Sequence, residues 1–156
     1  MGYTTDFNGT FQLDRALDDE THALLVGLST TRRMKRQGLD AKYGVDGEFY
    51  CNPGSDGFGQ DHDASIVDYN RPPETQPGLW CQWTPTEDRQ GIEWDGGEKF
   101  YNYVEWMEYL IEAVLKPRGY VVNGQVEWYG EDPDDRGRID VGNNVVTTKQ
   151  GRIVYE

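Results

Sequence analysis

Between positions 100 and 115 the apolar residues recur about every 100° of a helix. Phe100, Tyr103, Val104, Met107, Leu110, Ile111 and Val114 make one continuous stripe, which predicts a long amphipathic helix ended by Pro117 and Gly119. Asp95 and Glu98 stand ahead of it in capping-box spacing, with Gly96 and Gly97 between them. Residues 79–94 predict a hairpin turning over 85–91. At the start of the chain, Phe7, Phe11 and Leu13 share one parity and Asp6, Thr10 and Gln12 the other, which predicts a half-buried strand with Gly9 on its inner side.

A first helix is predicted from Asp18, a suitable cap, with Asp19 and Glu20 in its first turn and Leu24, Leu25 and Leu28 facing inward. Its last turns would hold Arg32, Arg33, Lys35 and Arg36, with Gly38 as the stop. Residues 45–51 read as a second strand carrying Val45, Phe49 and Tyr50. Residues 52–78 form a long Gly/Pro-rich loop, with a short edge strand expected at 65–69. After the second helix come a strand at 120–128 and a last hairpin over 137–156. That hairpin is expected to turn at Gly142-Asn143-Asn144 and again at Gln150-Gly151.

This order predicts an α+β fold: one domain over 1–156, with two helices on one face of a mostly antiparallel sheet. Its topology is expected to be related to the ferredoxin-like split motif, with an extra C-terminal hairpin. The 13% aromatic content offsets a hydrophobic content of only 36%, since each ring buries a large area. Four of the five tryptophans, Trp80, Trp83, Trp94 and Trp106, lie between 79 and 119 and belong to the expected core region.

The 28 acidic and 15 basic side chains leave a formal charge of −13, which opposes broad contact with a phosphate backbone; no nucleic-acid partner is expected. No run approaches the ~18 apolar residues of a membrane span, and the polar start is no signal peptide, so a cytoplasmic protein without a membrane partner is expected. Cys51 and Cys81 are read as buried thiols, and no cofactor is expected.

Catalytic candidates are sparse. His22 reads as a helix-surface residue. His62, within Asp61-His62-Asp63 and downstream of Asp56, has ligand chemistry without supporting cysteines or a second histidine, so no metal site is expected. The run Glu131-Asp132-Pro133-Asp134-Asp135 lacks calcium-loop spacing, because Asn143 stands where the bidentate Glu belongs; it reads as a solvated turn. Gly96-Gly97 beside Lys99 could hold a phosphate, but Asp95 and Glu98 offer carboxylates to the same amides. Arg32, Arg33, Lys35 and Arg36 form an alternative anionic-ligand site, although compensation of a helix dipole predicts the same residues.

On the second helix, Glu105, Glu108 and Glu112 line one flank of the core stripe and Asn102, Trp106, Tyr109 and Ala113 the other. Asn102, Glu105, Trp106, Glu108 and Tyr109 therefore make a candidate interaction surface of rings beside carboxylates. The competing reading is that the 52–78 loop folds over Trp106 and Tyr109.

The segments Gly78-Leu79-Trp80-Cys81-Gln82-Trp83, 92–106 and Tyr3-Thr4-Thr5-Asp6-Phe7-Asn8-Gly9 resemble an uncharacterised family of small acidic phage and bacterial proteins. The resemblance covers nearly the whole chain. It implies an intracellular, phage-related setting in which such proteins bind host components, and it carries no activity or catalytic residue. The expectation is a non-enzymatic acidic protein-binding module acting on a host protein. The alternative is a small-ligand or nucleotide-binding protein with an aromatic-rich pocket, which would require Trp80, Trp83 or Trp94 to line an open cleft.

Overall fold

The computed structural model describes residues 2–51, 60 and 63–156. In chain order the elements are β1 (Thr5–Leu13), α1 (Asp19–Thr30), β2 (Lys35–Arg36), β3 (Ile66–Asp68), β4 (Trp83–Pro85), β5 (Gly91–Trp94), α2 (Tyr103–Leu110), β6 (Val122–Gly130), β7 (Arg136–Gly142) and β8 (Val145–Gln150). Six strands form one sheet in the order β4-β5-β1-β6-β7-β8, with every pairing antiparallel, and β2 and β3 form a separate two-stranded ladder. The α+β class and the antiparallel sheet are as the periodicities predict.

β1 is central because both of its edges are paired. Thr5 to Leu13 match Gly130 to Val122 on one side, and Phe11 and Gln12 match Ile92 and Gly91 on the other. The alternation along β1 puts Phe11 and Leu13 into a single core cluster with Val122, Val126, Ile139 and Val141 from the neighbouring strands. Leu25 and Leu28 of α1 and Trp106, Met107 and Leu110 of α2 complete that cluster. The opposite parity, including Gln12, Gln125, Glu127 and Lys149, stays exposed on the bare face.

Aromatic rings fill the seam between helices and sheet. Trp83 is fully buried, its ring 5.3 Å from Phe7, 5.4 Å from Phe11 and 5.2 Å from Phe100, all edge-on. Its Nε1 donates to the Tyr103 carbonyl at 2.8 Å, so the indole is buried without a stranded donor. At the far end Trp128 lies over Gly137, where a β-carbon would stand 2.3 Å from the ring. Trp128 Nε1 donates to Asp135 Oδ1 at 3.0 Å, and the Tyr3 hydroxyl donates to Asp135 Oδ2 at 2.8 Å. One residue of the acidic turn thus ties β1's approach to β6.

Three local expectations are corrected. α1 stops at Thr30, just before the basic cluster that begins at Arg32. The Ser29 and Thr30 hydroxyls both bond back to the Val26 carbonyl at 2.9 Å, and Thr31 is extended (φ −116°, ψ 129°), a local alternative that competes with helix. Residues 45–51 form no strand: the backbone turns left-handed at Gly44 (φ 72°), Asp46 (φ 57°) and Gly47 (φ 76°) and makes short 3₁₀ turns at Ala41–Tyr43 and Val45–Gly47. Asp95 does not cap α2. Its Oδ1 takes the Gly97 N–H at 2.8 Å in a tight local turn, and the helix begins only at Tyr103 after left-handed Lys99 (φ 60°) and Asn102 (φ 58°). The helical path then runs on through a π turn at Ile111–Leu115 and a 3₁₀ turn at Lys116–Arg118, closing at Gly119 (φ 82°).

The final hairpin turns at left-handed Asn143 (φ 47°) and Asn144 (φ 70°), where the sequence placed it, and residues 151–156 carry no further strand. A short strand expected at 65–69 is present as β3.

Candidate functional site

The five residues of the candidate interaction surface do not share one surface. Glu105 and Glu108 are exposed, but Trp106 is 0% exposed and Tyr109 is half-buried. The segment before β4 covers them. Gln76 Nε2 donates to the Tyr109 hydroxyl at 3.1 Å, and that hydroxyl donates to Glu48 Oε1 at 2.7 Å. Asn102 Nδ2 is held by the Pro77 carbonyl at 2.8 Å. The reading in which this stretch folds over Trp106 and Tyr109 is the one observed.

The basic cluster does not converge on an anion. Arg33, with 2% exposure, gives every arm to neutral carbonyl oxygens: Tyr50 O at 2.7 Å, Glu48 O at 2.8 Å, Gly47 O at 3.4 Å and Gln76 Oε1 at 3.3 Å. Burial pulls its pKa below the ordinary arginine value. Arg32 bonds Tyr69 O at 3.0 Å and Asn70 Oδ1 at 3.2 Å, while Lys35 pairs with Asp46 at 3.8 Å. Arg36 is buried over the Tyr50 ring at 4.0 Å, donates to the Ser65 hydroxyl at 3.0 Å and stands 3.9 Å from Asp63. These cations fasten loops rather than greet a ligand, so the anionic-ligand site is withdrawn.

The remaining candidates are equally quiet. Asp56, Asp61 and His62 lie outside the described residues. Gly96 and Gly97 sit in an irregular stretch, not at a helix N-terminus, which removes the amide array a phosphate would need. Burial pushes the Cys81 thiol up to about 12 and the Cys51 thiol upward too, so neither is poised as a thiolate nucleophile.

What residues 70–82 and 98–102 do form is a cleft of about 410 Å³. Its apolar lining comes from Pro72, Pro77, Leu79, Trp80 and Tyr101, and its polar lining from Asn70, Gln82, Glu98, Lys99 and Asn102. One wall is fixed from below: the Leu79 carbonyl accepts from the Arg33 N–H at 2.8 Å, the Arg71 carbonyl from the Lys35 N–H at 2.8 Å, and the Glu74 N–H reaches Asp46 Oδ2 at 3.0 Å. Gln76 adds a bond from Nε2 to the Glu48 carbonyl at 2.7 Å. The other wall runs through the two left-handed residues, Lys99 and Asn102. It is held by Gln82 Nε2 on the Glu98 carbonyl at 2.7 Å and by Asn102 on Pro77. Left-handed non-glycine residues cost of order 1–3 kcal/mol each, and here the surrounding bonds impose them. Tyr101 projects from this wall with 51% exposure, its hydroxyl accepting from the Tyr3 N–H at 3.0 Å.

The Arg32 guanidinium lies 5.7 Å from the Trp80 ring centre, just behind the cleft. Trp94 is excluded from the opening by its Nε1 bonds to Gln82 Oε1 at 3.1 Å and Gly97 O at 3.2 Å. Of the three tryptophans on which the pocket reading was conditional, then, Trp80 lines a cleft, Trp83 is core and Trp94 is a strut. Pro72, Pro77 and Tyr101 were missed in the sequence, and Lys99 was singled out there only beside Gly96-Gly97 as a phosphate holder. Their only linear trace is the clustering of prolines in the long loop shortly before Trp80.

A wider depression of about 820 Å³ lies on the bare sheet face, over Gly9, Gly124, Gln125, Asp140 and Thr147. Its strongest charges are already matched, since Arg138 makes two bonds to Asp140, at 2.6 and 3.1 Å. The cleft beside Trp80 is the better candidate because rings line it beside the exposed Glu98 and Lys99 side chains. Among the described residues no group of three His, Cys, Asp or Glu side chains converges as a metal site, and no helix is long and apolar enough to cross a membrane. Compared with known proteins, the chain matches no family model, no curated protein and no solved structure.

Proposed function

We propose that the chain is a cytoplasmic, non-enzymatic binding module that docks a host protein through the cleft beside Trp80. The observation that carries this reading is the cleft's lining. A ring-and-proline surface of Trp80, Tyr101, Pro72, Pro77 and Leu79 opens outward on a molecule of formal charge −13. Apolar and aromatic surface kept open beside charge is what a partner's anchor residue needs. The exposed carboxylates Glu105, Glu108 and Glu112 lie on α2 and its continuation, following on from the 98–102 wall, and favour the approach of a basic partner. The same reading takes the chain as one domain of ferredoxin-like relation with an added hairpin. It is supported by the order β4-β5-β1-β6, in which α2 joins two strands separated by antiparallel β1.

The test is capture from host lysate by the wild-type chain and by Tyr101→Ser and Leu79→Ser variants. Proteins held by the wild type and lost from both folded variants support the reading; identical captured sets from all three oppose it. A second reading, a small-ligand protein, draws on the cleft's volume of about 410 Å³, within the usual ~300–1,000 Å³ of such sites. Native mass spectrometry showing a retained small molecule, lost in Tyr101→Ser, would favour it over protein docking.

A further inference from the structure

We propose that two copies of the chain pair antiparallel along β8, each adding its residues 151–155 to the open edge of the other, so that the two six-stranded sheets become one.

β8 ends the sheet, and among the described residues it is hydrogen-bonded to β7 alone. The opposite end is guarded. β4 is three residues long, finishes at Pro85, and holds Thr84 Oγ1 3.3 Å from the Ser29 hydroxyl of α1. β8 has no such protection: it reads Val-Val-Thr-Thr-Lys-Gln, mostly strand formers and no proline. Val145 is exposed at its front, and Ile153, Val154 and Tyr155 are exposed just behind it, Tyr155 by 89%. Apolar residues gathered on an unguarded edge mark a contact surface.

The order of these residues selects a second copy as the occupant. Outward from Gln150, the run Thr147, Val146, Val145 is mirrored by Ile153, Val154, Tyr155. A strand laid antiparallel beside its own copy about Gln150 therefore sets Thr147 against Ile153, Val146 against Val154 and Val145 against Tyr155 of the second copy, twice over. Lys149 meets Gly151 and Arg152 meets Thr148, so no like charges stand opposite. Sliding the copies by two residues loses this match. One direction puts Lys149 on Lys149; the other puts Ile153 on Lys149 and Val146 on Glu156.

The backbone is in phase with that register. Val145 faces Gly142 across the β7–β8 turn, and the Gly151 N–H goes to Arg136 O at 2.8 Å. By the antiparallel alternation, odd-numbered residues of β8 then bond β7, while Val146, Thr148 and Gln150 direct N–H and C=O outward. These meet Val154, Arg152 and Gln150 of the second copy. The even positions also face the helices, since Val146 packs on the core. Val154 of the second copy thus lies beside Val146, at a groove of about 240 Å³ walled by Ile111, Glu108 and Glu112. Arg152 of the second copy arrives next to it, opposite in charge to those two carboxylates. The two-fold axis at Gln150 uses the same patch on both copies, so the assembly closes at two.

Sedimentation equilibrium of the full chain tests the pairing. The wild type is expected at about twice its 17.9 kDa mass. Val154→Asp changes an exposed side chain and places a carboxylate near Glu108 and Glu112 of the second copy. It should keep the wild-type melting temperature and weaken dimerisation at least tenfold. Oxidation tests the register, with the wild type as the control for Cys51 and Cys81. In Gln150→Cys the two new cysteines fall with Cα atoms ~5.5 Å apart and should link the copies by a disulfide. In Thr148→Cys they stand ~14 Å apart and should not. A wild type that stays monomeric up to about 100 µM refutes the pairing. A dimer that Val154→Asp leaves intact also refutes it, and linkage of Thr148→Cys in preference to Gln150→Cys refutes the register.

Discussion

Replacing Arg33 by lysine, which keeps the charge, should damage this fold more than replacing it by methionine, which removes it. The guanidinium is 2% exposed and no carboxylate lies within ion-pair distance of it among the described residues. What retains it is geometry: a planar fork reaching Tyr50 O at 2.7 Å and Glu48 O at 2.8 Å, with longer bonds to Gly47 O and Gln76 Oε1. One ammonium cannot reach all of these points. Arg33→Lys gives up at least one charge-assisted bond and a weaker one while keeping a buried cation, a loss of about 3–5 kcal/mol. Arg33→Met strands chiefly the Tyr50 carbonyl, since Glu48 O still takes Gln76 Nε2 at 2.7 Å. It also removes the desolvation cost of the cation, so its loss is about 1–3 kcal/mol. Urea unfolding followed by tryptophan fluorescence reads both. A lysine variant as stable as wild type, or a methionine variant less stable than the lysine one, would refute the reasoning.

Four further outcomes follow from the same contacts. Tyr109→Phe removes the 2.7 Å bond to buried Glu48 Oε1 but leaves that carboxylate the Thr75 hydroxyl and the Val45 N–H, so a loss of about 2 kcal/mol in urea unfolding is expected. Gly137→Ala forces a methyl into Trp128, 2.3 Å away, and should lower stability by about 1–3 kcal/mol, measured the same way. Alkaline pH should destabilise the fold. Cys81, fully buried, is raised from 9.0 to about 12, so the unfolded chain loses its proton first and stability falls above pH 9 by about 1.4 kcal/mol per unit. Tyr103 and Tyr109, also raised by burial, act in the same direction. Unfolding midpoints between pH 8 and 11 should show this decline, and a Cys81→Ala variant should show a shallower one. A flat profile for the wild type would contradict it.

The parts of the fold legible in the sequence are those with strong local periodicity. The 3.6-residue stripe of Met107, Leu110, Ile111 and Val114 and the alternation of Phe11 and Leu13 are set by what each segment must bury, and all six side chains are buried. Where local pattern and backbone chemistry disagreed, backbone chemistry prevailed. Val45, Phe49 and Tyr50 looked strand-like, but left-handed Gly44, Asp46 and Gly47 forbid an extended run. Asp95 looked like a cap, but it turned on Gly97 first.

The cleft was illegible for a different reason. Its walls are separated in sequence and are joined by side chain to backbone bonds, Gln82 to Glu98 and Asn102 to Pro77, that no period announces. Trp106 was placed on an outer flank because a helix considered alone has a solvent side there. Residues 70–79 occupy that side, anchored by Gln76 and by Arg33, whose charge in the sequence suggested a ligand instead.

The most direct measurement for the docking account places the photoreactive residue p-benzoylphenylalanine at position 101, on the cleft wall, or at position 129, on the bare sheet face, and irradiates each chain in host lysate. The account predicts a discrete protein adduct from position 101 that is lost when Leu79, on the same cleft, is changed to serine, and none from position 129. Adducts from position 129 alone would contradict it and move the contact site to the open sheet.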